Sequence, residues 1–264
     1  MKQRTMWGIL SLFLAGSLLL TGCLVGPLQT IASAGRTVTQ EMSIRDFDRL
    51  QISHAFEVEV RQGEAFRVVV EVDEAVLPHL QVDRVGNTLR IGIVPGWRIF
   101  RGPTTLRAEV TMPTLAGLTA SGAARVDLSG FRSSSALEIR ASGASVVQGA
   151  IDAGDTTIAA SGASRINLSG TYQDLAVEAS GASDVTLDGS GQNLRANASG
   201  GSEVDLANLP VVDARLDASG ASTIYVQLSG TLDVEASGAS NIYYSGDPTL
   251  GDVSTSGASS ISRR

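Results

Sequence analysis

The amino-acid sequence predicts an all-β fold: a single-chain parallel β-helix (β-solenoid) with rungs of about 19 residues and a less regular, β-rich N-terminal part. Two observations predict this fold. A pentapeptide close to Ala-Ser-Gly-Ala-Ser recurs at intervals of 18 to 21 residues. Between its copies apolar and polar residues alternate, as they do in a strand with one buried face. The copies begin at Ala120, Ala141, Ala160, Ala179, Ala198, Ala218, Ala236 and Thr255.

A stack of equivalent rungs explains this period, because one unit of about 19 residues cannot bury its own apolar face. Rungs stacked about 4.8 Å apart bury each other's apolar faces. Glycine in the corner takes positive φ at low cost, and the serines can hydrogen-bond between rungs. The expected inward columns are Val126, Val147, Ile166, Val185, Val204, Ile224 and Ile242, and, two residues further on, Leu128, Leu168, Leu187, Leu206 and Val226.

The chain divides into an irregular and a regular part. Residues 43–118 are predicted to form irregular first rungs, with strands near 56–60 and 66–72 and phenylalanines that cap the end of the core. Pro95–Pro103 is predicted to be a loop excursion. Residues 119–264 are predicted to form the regular solenoid of Ser-Gly-Ala-Ser repeats.

The N-terminus has the features of a bacterial lipoprotein signal peptide. Lys2 and Arg4 precede an apolar run of about 15 residues, which is short for a membrane span. The run ends in Leu20-Thr21-Gly22-Cys23, which resembles a lipobox. We therefore expect removal of residues 1–22 and lipidation of Cys23. The alternatives are an ordinary signal peptide with an incidental cysteine, or an uncleaved anchor.

Lipidation predicts where the protein is located. Several acyl chains at Cys23 would anchor it stably to a membrane, in the cell envelope and outside the cytoplasm. Residue 24 is Leu rather than Asp, which favours the outer membrane if the host has one. Residues 23–42 are predicted to be a flexible tether.

Composition and motifs exclude several function classes. The 27 acidic residues outnumber 20 Lys and Arg and give a net charge of −7, so binding to nucleic acid is not expected. A single cysteine excludes an intramolecular disulfide framework and a Cys-x-x-Cys motif. The sequence has no P-loop, nucleophile elbow or dinucleotide fingerprint, so no cofactor is expected.

Outward-facing residues supply the candidate sites. Asp184, Glu203 and Asp205 would lie on neighbouring rungs and could offer oxygen ligands to Ca²⁺; the alternative is a solvated acidic face. His54 and His79 lack the spacing of a metal site.

Tyrosines on the last rungs are the candidate ligand-binding residues. Tyr225, Tyr243 and Tyr244, together with Asp205, combine flat aromatic faces with a hydrogen-bonding neighbour, which suits a sugar. The alternative is that these tyrosines are simply good strand residues.

The order of motifs resembles the bacterial head GIN domain family, which is also described as a "putative autotransporter adhesin" domain. The resemblance covers about residues 43–262 and rests on the lipobox, Asp46–Leu50, Phe56–Gly63, Asn87–Ile91, Val110–Leu115 and the serial Ser-Gly-Ala-Ser units. It implies a β-helical envelope protein, commonly a lipoprotein, and it supplies no catalytic residues.

The sequence therefore predicts a noncatalytic cell-envelope lipoprotein that presents a solenoid surface for binding or adhesion. The expected partner is a glycan or an envelope protein. One alternative is a polysaccharide-processing enzyme on the same scaffold, which would need convergent carboxylates. Another is a structural solenoid that associates end to end through its last rung, near Ser259–Ile261.

Overall fold

The computed structural model describes residues 29–264, so the predicted signal peptide at 1–22 and the lipidation site Cys23 lie outside the described residues. Strands dominate this range, with a short 3-10 helix at Glu74–His79. The strands are β1 (Gln29–Ala32), β2 (Thr37–Met42), β3 (Arg49–Ile52), β4 (Glu57–Gln62), β5 (Arg67–Asp73), β6 (Leu80–Val85), β7 (Thr88–Ile93), β8 (Trp97–Arg101), β9 (Leu106–Met112), β10 (Gly117–Ala120), β11 (Arg125–Arg132), β12 (Leu137–Ala141), β13 (Val146–Asp152), β14 (Thr156–Ala160), β15 (Arg165–Thr171), β16 (Asp174–Ala179), β17 (Asp184–Ser190), β18 (Asn193–Ala198), β19 (Glu203–Val211), β20 (Asp213–Ala218), β21 (Thr223–Leu228), β22 (Thr231–Ala236), β23 (Asn241–Gly246), β24 (Thr249–Thr255) and β25 (Ser260–Arg263).

The repeat region is a parallel solenoid, as the sequence predicts. Each turn adds one strand to a 12-stranded sheet and one to an 11-stranded sheet, so a rung has two strands. Neighbouring strands pair in parallel, with Ile166 opposite Val185 and Val185 opposite Val204. The orders are β2-β5-β9-β4-β11-β13-β15-β17-β19-β21-β23-β25 and β24-β22-β20-β18-β16-β14-β12-β10-β3-β7-β6.

Two inward columns of aliphatic residues fill the space between the sheets. All members of the first predicted column, from Val126 to Ile242, are at most 1% exposed, and those of the second are at most 3% exposed. Burial of each such side chain stabilises the fold by roughly 1.5–3 kcal/mol relative to exposure. Because each rung buries the next, the core is continuous along the axis.

The serine that ends each full pentapeptide is buried and bridges rungs. The Ser183 hydroxyl donates to the carbonyl of Ala160 in the preceding rung (3.3 Å) and to that of Ser180 (2.9 Å). The equivalent serines are at most 2% exposed, and each donates to a carbonyl of the preceding rung: Ser145, Ser164, Ser202, Ser222 and Ser240. The inter-rung bonding predicted for the serines is therefore present.

The N-terminal part continues both sheets but changes strand direction. β3 and β4 form a rung that pairs in parallel with β10 and β11 on one side and with β7 and β9 on the other. Beyond it, β5 and β6 pair antiparallel with β9 and β7, and β2 pairs antiparallel with β5. The two-residue turn at Gly86-Asn87 joins β6 to β7 as a hairpin, so this pair is antiparallel. This end of the solenoid is therefore an antiparallel cap rather than a further parallel rung.

Phenylalanines pack where the irregular part meets the repeat. Phe56 is fully buried, and Phe47 is 2% exposed. The ring centroids of Phe47 and Phe66 lie 4.8 Å apart. Phe56 stands in register with Ala124, the position that holds a serine in later rungs, so a large ring takes the place of a small side chain at this end.

The structure corrects the boundary of the flexible tether predicted at 23–42. β2 pairs along its full length with β5, and β1 pairs in parallel with β8 in a separate two-stranded sheet. Small polar residues suggested flexibility, but the edge of β5 supplies backbone partners that the local sequence does not show. The Pro95–Pro103 loop likewise contains β8.

A buried carboxylate fastens the entry of the chain into the cap. Asp73 is 2% exposed and accepts hydrogen bonds from the Ser33 hydroxyl (2.6 Å) and the backbone N–H groups of Ala34 (2.9 Å), Gly35 (3.3 Å) and Ala75 (2.9 Å). The Ser33 bond, followed by that of Ala34, holds the pKa of Asp73 below its usual range. Residues 33–35 are thus part of the folded domain.

Candidate binding surface

The outer face of the 12-stranded sheet carries a stacked pair of tyrosines. Strand register places Asp205 opposite Tyr225, and Tyr225 opposite Tyr243. The two ring centroids are 5.1 Å apart and the ring planes differ by 12°. Parallel strands one spacing apart impose this stacking on identical outward residues. The result is a half-exposed aromatic surface made by the stacked pair, with Asp205 next to it in the same column.

Arg264 covers part of this surface. Its guanidinium carbon lies 4.6 Å from the ring centroid of Tyr225 and 4.5 Å from that of Tyr243. The backbone N–H of Arg264 donates to the carbonyl of Tyr244 (2.9 Å), which fixes the segment beside β23. Sequence reasoning did not identify Arg264, because only the register shows that it returns to the tyrosine column.

Tyr244 does not belong to the tyrosine pair. It lies opposite Val226 and Arg263, in the inward-facing series of β21, and packs against the core. Successive strand residues point to opposite faces of a sheet. Tyr243 therefore faces outward and Tyr244 inward, so the structure brings together Tyr225, Tyr243 and Asp205 but leaves Tyr244 out.

The candidate calcium ligands are adjacent in register but are not assembled as a metal site. Asp184 lies opposite Glu203, but its carboxylate accepts a hydrogen bond from Arg165 at 2.9 Å. Asp205 Oδ1 accepts the backbone N–H of Ala207 at 3.0 Å. Within residues 29–264, no group of three or more His, Cys, Asp or Glu residues is arranged to hold a metal ion.

The two histidines have local structural contacts. His54 Nδ1 accepts the backbone N–H of Ile93 (3.3 Å) and lies 2.9 Å from the Ser53 hydroxyl. Burial lowers the pKa of His54, which favours the neutral ring that this acceptor role requires. His79 is partnered as well. The hydrogen bonds of His54 hold its turn.

A mixed-charge cleft on the outer face of the 11-stranded sheet was not identified from the sequence. It has a volume of about 330 Å³ and is lined by Arg195, Arg215, Asp217, Asp233 and Glu235, among others. The signal was present: Arg195 and Arg215 are 20 residues apart, the same offset as the pentapeptides at Ala198 and Ala218. Both arginines precede their pentapeptides, whereas the predicted outward columns follow the pentapeptides.

The membrane attachment predicted at Cys23 lies outside the described residues. Within the described range, no helix combines the length and the hydropathy that crossing a bilayer requires.

Comparison with solved structures identifies the fold. A structure titled as a putative adhesin from Parabacteroides merdae is 17% identical, covers 89% of this chain and 99% of its own, and superposes with a TM-score of 0.80. Two proteins from Parabacteroides distasonis each cover 89% of this chain and all of their own. One, titled a putative adhesin, is 16% identical with a TM-score of 0.75. The other, titled a putative lipid binding protein, is 20% identical with a TM-score of 0.72.

No curated protein matches the sequence. A family model does, however, and it spans residues 46–248, which is most of the chain and includes β3 through β23. The motifs that resembled the head GIN domain lie almost entirely in this range. The chain belongs to the family described as "Putative auto-transporter adhesin, head GIN domain".

Proposed function

We propose that this chain is a noncatalytic cell-surface protein, anchored by lipid on Cys23, that binds a glycan of its surroundings through Tyr225, Tyr243 and Asp205. An envelope protein is the other partner class that such a surface suits. Membership of an adhesin-like family supports a location at the cell surface.

The stacked tyrosine pair carries the proposal. The two stacked rings leave aromatic carbon and phenol hydroxyl groups half-exposed beside Asp205, and a sugar packs against such aromatic carbon through its C–H groups. Arg264, which lies over both rings, would have to move or contact the sugar as well. Asp205 stands in the same column and can accept hydrogen bonds from sugar hydroxyls. Because the rings are held on adjacent strands, little side-chain entropy is lost on binding.

The fold also separates this face from the anchored end. β2, where the chain enters the domain, is the first strand of the 12-stranded sheet, and β21 is the tenth. Nine strand spacings of about 4.8 Å place Tyr225 roughly 43 Å from β2 along the sheet. The tyrosine pair therefore lies far along the solenoid from the N-terminal strands.

Glycan retention tests the binding face. We expect the Tyr225→Ala/Tyr243→Ala variant of the full chain to lose about tenfold or more of its retention on an array of envelope glycans. The matched control is Asn167→Ala/Thr186→Ala, which alters the same outward column three and two strands away from Tyr225. Equal retention by both variants would contradict the role of the tyrosines.

Metabolic labelling with a radioactive fatty acid tests the anchor. The wild type should carry label and sediment with membranes, whereas Cys23→Ser should carry none. A wild type without label, or equal label on both proteins, would contradict lipidation of Cys23.

Self-association is a second candidate function, favoured by the outermost rung of the structure. β24 is exposed along all seven residues, and Leu250 and Val253 are 52% and 46% exposed. In earlier rungs the equivalent surface is covered by the next rung, so a second copy could cover it here. Concentration-dependent sedimentation, abolished by Leu250→Glu/Val253→Glu, would support this candidate.

The enzyme alternative needs carboxylates that converge on a substrate. The carboxylate of Asp184, one of the acidic residues considered for it, is instead paired with Arg165.

A further inference from the structure

The mixed-charge cleft contains two pairs of like charges side by side. Arg195 on β18 lies directly opposite Arg215 on β20. Two residues further along, Asp217 on β20 lies opposite Glu235 on β22. Like charges directly opposite on neighbouring strands repel and destabilise a sheet. An exposed surface that keeps two such pairs next to each other has charges that the domain itself does not neutralise.

These four charges are unpartnered within residues 29–264. Neither guanidinium makes an ion pair or a hydrogen bond, and neither carboxylate accepts one. Asp233 lies opposite Arg215 but is engaged elsewhere, because its Oδ1 accepts the backbone N–H of Asp252 at 2.9 Å. Asp233 therefore keeps its negative charge next to Arg215 but makes no ion pair with its guanidinium.

The spacing of the two pairs defines the charge pattern of a ligand. Arg215 and Asp217 point to the same side of β20, two residues or about 7 Å apart along the strand. The cleft therefore presents a cationic pair and an acidic pair at that separation, and its lining also includes the carboxylates of Asp233 and Asp252. A simple anion would bind the arginines but would be repelled by the acidic pair. A simple cation would bind the acidic pair but would be repelled by the arginines.

We propose that this cleft binds a zwitterionic group, in which a phosphate or carboxylate contacts Arg195 and Arg215 and a linked ammonium contacts Asp217 and Glu235. Guanidinium groups hold phosphate and carboxylate with charge-assisted, often bidentate hydrogen bonds. The ammonium neutralises negative charge at the acidic pair, Asp217 and Glu235. Amino-sugar phosphates and phosphoethanolamine headgroups share this chemistry. The site lies on the opposite sheet from the tyrosine pair and does not depend on it.

Calorimetric titration of the full chain with four probes tests the charge pattern. Glucosamine 6-phosphate carries ammonium and phosphate on opposite sides of one sugar ring, N-acetylglucosamine 6-phosphate lacks the ammonium, and glucosamine lacks the phosphate. We expect the zwitterion to bind about tenfold more tightly than either single-charge probe. Phosphoethanolamine, the fourth probe, distinguishes a headgroup from a sugar as the source of the zwitterion.

Exposed-residue variants separate the two halves of the site. Arg195→Gln/Arg215→Gln should weaken glucosamine 6-phosphate binding about tenfold or more. Asp217→Asn/Glu235→Gln should instead remove the preference for glucosamine 6-phosphate over its N-acetyl form. The matched control, Arg125→Gln/Arg132→Gln, removes the same net charge from the 12-stranded sheet and should leave binding unchanged.

Three results would overturn the proposal. The first is that neither zwitterionic probe gives a heat of binding at concentrations up to about 10 mM. Any affinity would then be weaker than that of a specific small-ligand site. The second is equal affinity for glucosamine 6-phosphate and its N-acetyl form in the wild type. The third is equal weakening by the cleft and control arginine variants, since that would indicate a nonspecific charge effect. Tyr225→Ala/Tyr243→Ala should leave these titrations unchanged, so failure here and failure of the glycan proposal are distinguishable.

Discussion

The corner after β3 and the corners of the repeat region follow the same path with different residues. In the repeat, Gly181 has φ +75°, and at the first corner His54 has φ +66°. The hydrogen bonds correspond, since Ala182 N–H donates to Gly162 O (2.8 Å) and Ala123 N–H donates to His54 O (2.6 Å). One position tolerates a large side chain in a left-handed conformation, and the other is glycine in every copy.

The difference lies in the neighbouring rung. A Cβ on Gly181 would lie 2.7 Å from the carbonyl oxygen of Gly162, in the corner of the preceding rung. On the corresponding side of His54, β7 continues straight to Ile93 and forms no corner. The ring of His54 occupies that space and accepts the Ile93 N–H. Stacking of identical corners, rather than the turn itself, therefore imposes glycine in the repeat.

Adding one methyl group at a repeat corner should have the largest effect on stability. We expect Gly181→Ala to lower the free energy of unfolding by about 2–4 kcal/mol, because it combines left-handed strain with overlap of two backbones. His54→Gly, at the equivalent first corner, should change it by about 1 kcal/mol or less. Urea unfolding followed by circular dichroism measures both, and equal losses would show that the turn, not the stacking, requires glycine.

Hydrogen bonds to the buried carboxylate of Asp73 stabilise the cap, whereas apolar columns stabilise the repeat. Asp73→Asn replaces an acceptor of four hydrogen bonds with a group that can donate, and should cost about 2 kcal/mol at pH 7. The folded-state pKa of Asp73 is lowered, so its contribution is complete above about pH 4 and is lost as the pH falls through the folded value. Urea midpoints of wild type and variant should therefore converge as the pH falls below about 4. A constant difference would contradict the ionised-carboxylate explanation.

The buried serine column should contribute less per residue. Ser183→Ala should cost about 1 kcal/mol, because the two carbonyls it bridges lose one shared donor. The first pentapeptide supplies a natural comparison, since Ala124 occupies the serine position there and is fully buried. Ala124→Ser in the same unfolding assay should be neutral or stabilising. A loss there as large as that of Ser183→Ala would argue against inter-rung bonding.

Tyr172 should give the smallest change, and with the opposite sign. Its hydroxyl is buried without a hydrogen-bond partner, so Tyr172→Phe should stabilise the protein by about 1 kcal/mol or less. Burial raises the pKa of the Tyr172 phenol, with Asp152 and Asp188 adding to the effect. The wild type should therefore lose stability relative to the variant as the pH rises above about 10. Parallel stability of the two proteins at alkaline pH would show that the phenol is not desolvated.

The sequence predicted some regions of the structure better than others. It succeeded where a local pattern or the repeat period specifies the structure, and it failed where residues distant in sequence do. Identical offsets between pentapeptides were enough to predict which of Val185, Val204 and Ile224 share a column. The same offsets predicted that Tyr225 and Tyr243 lie on neighbouring rungs in one column. The antiparallel cap was missed because β2 and β5 pair with strands far away in sequence. The β6–β7 hairpin is local, and the sequence indicated only its turn. The inward position of Tyr244 follows from the alternation of side-chain direction along β23, since Tyr243 next to it faces outward.

By itself, the sequence determined the period, the parallel stacking and the inward columns, because a repeat of about 19 residues can bury its apolar face only against copies of itself. Tertiary structure alone decided the cap, the position of Arg264 over the tyrosines, and which charges in the cleft at Arg195 and Arg215 are left unpaired. These features depend on which strand edges and side chains meet across long separations, and neither a local pattern nor a period specifies those meetings.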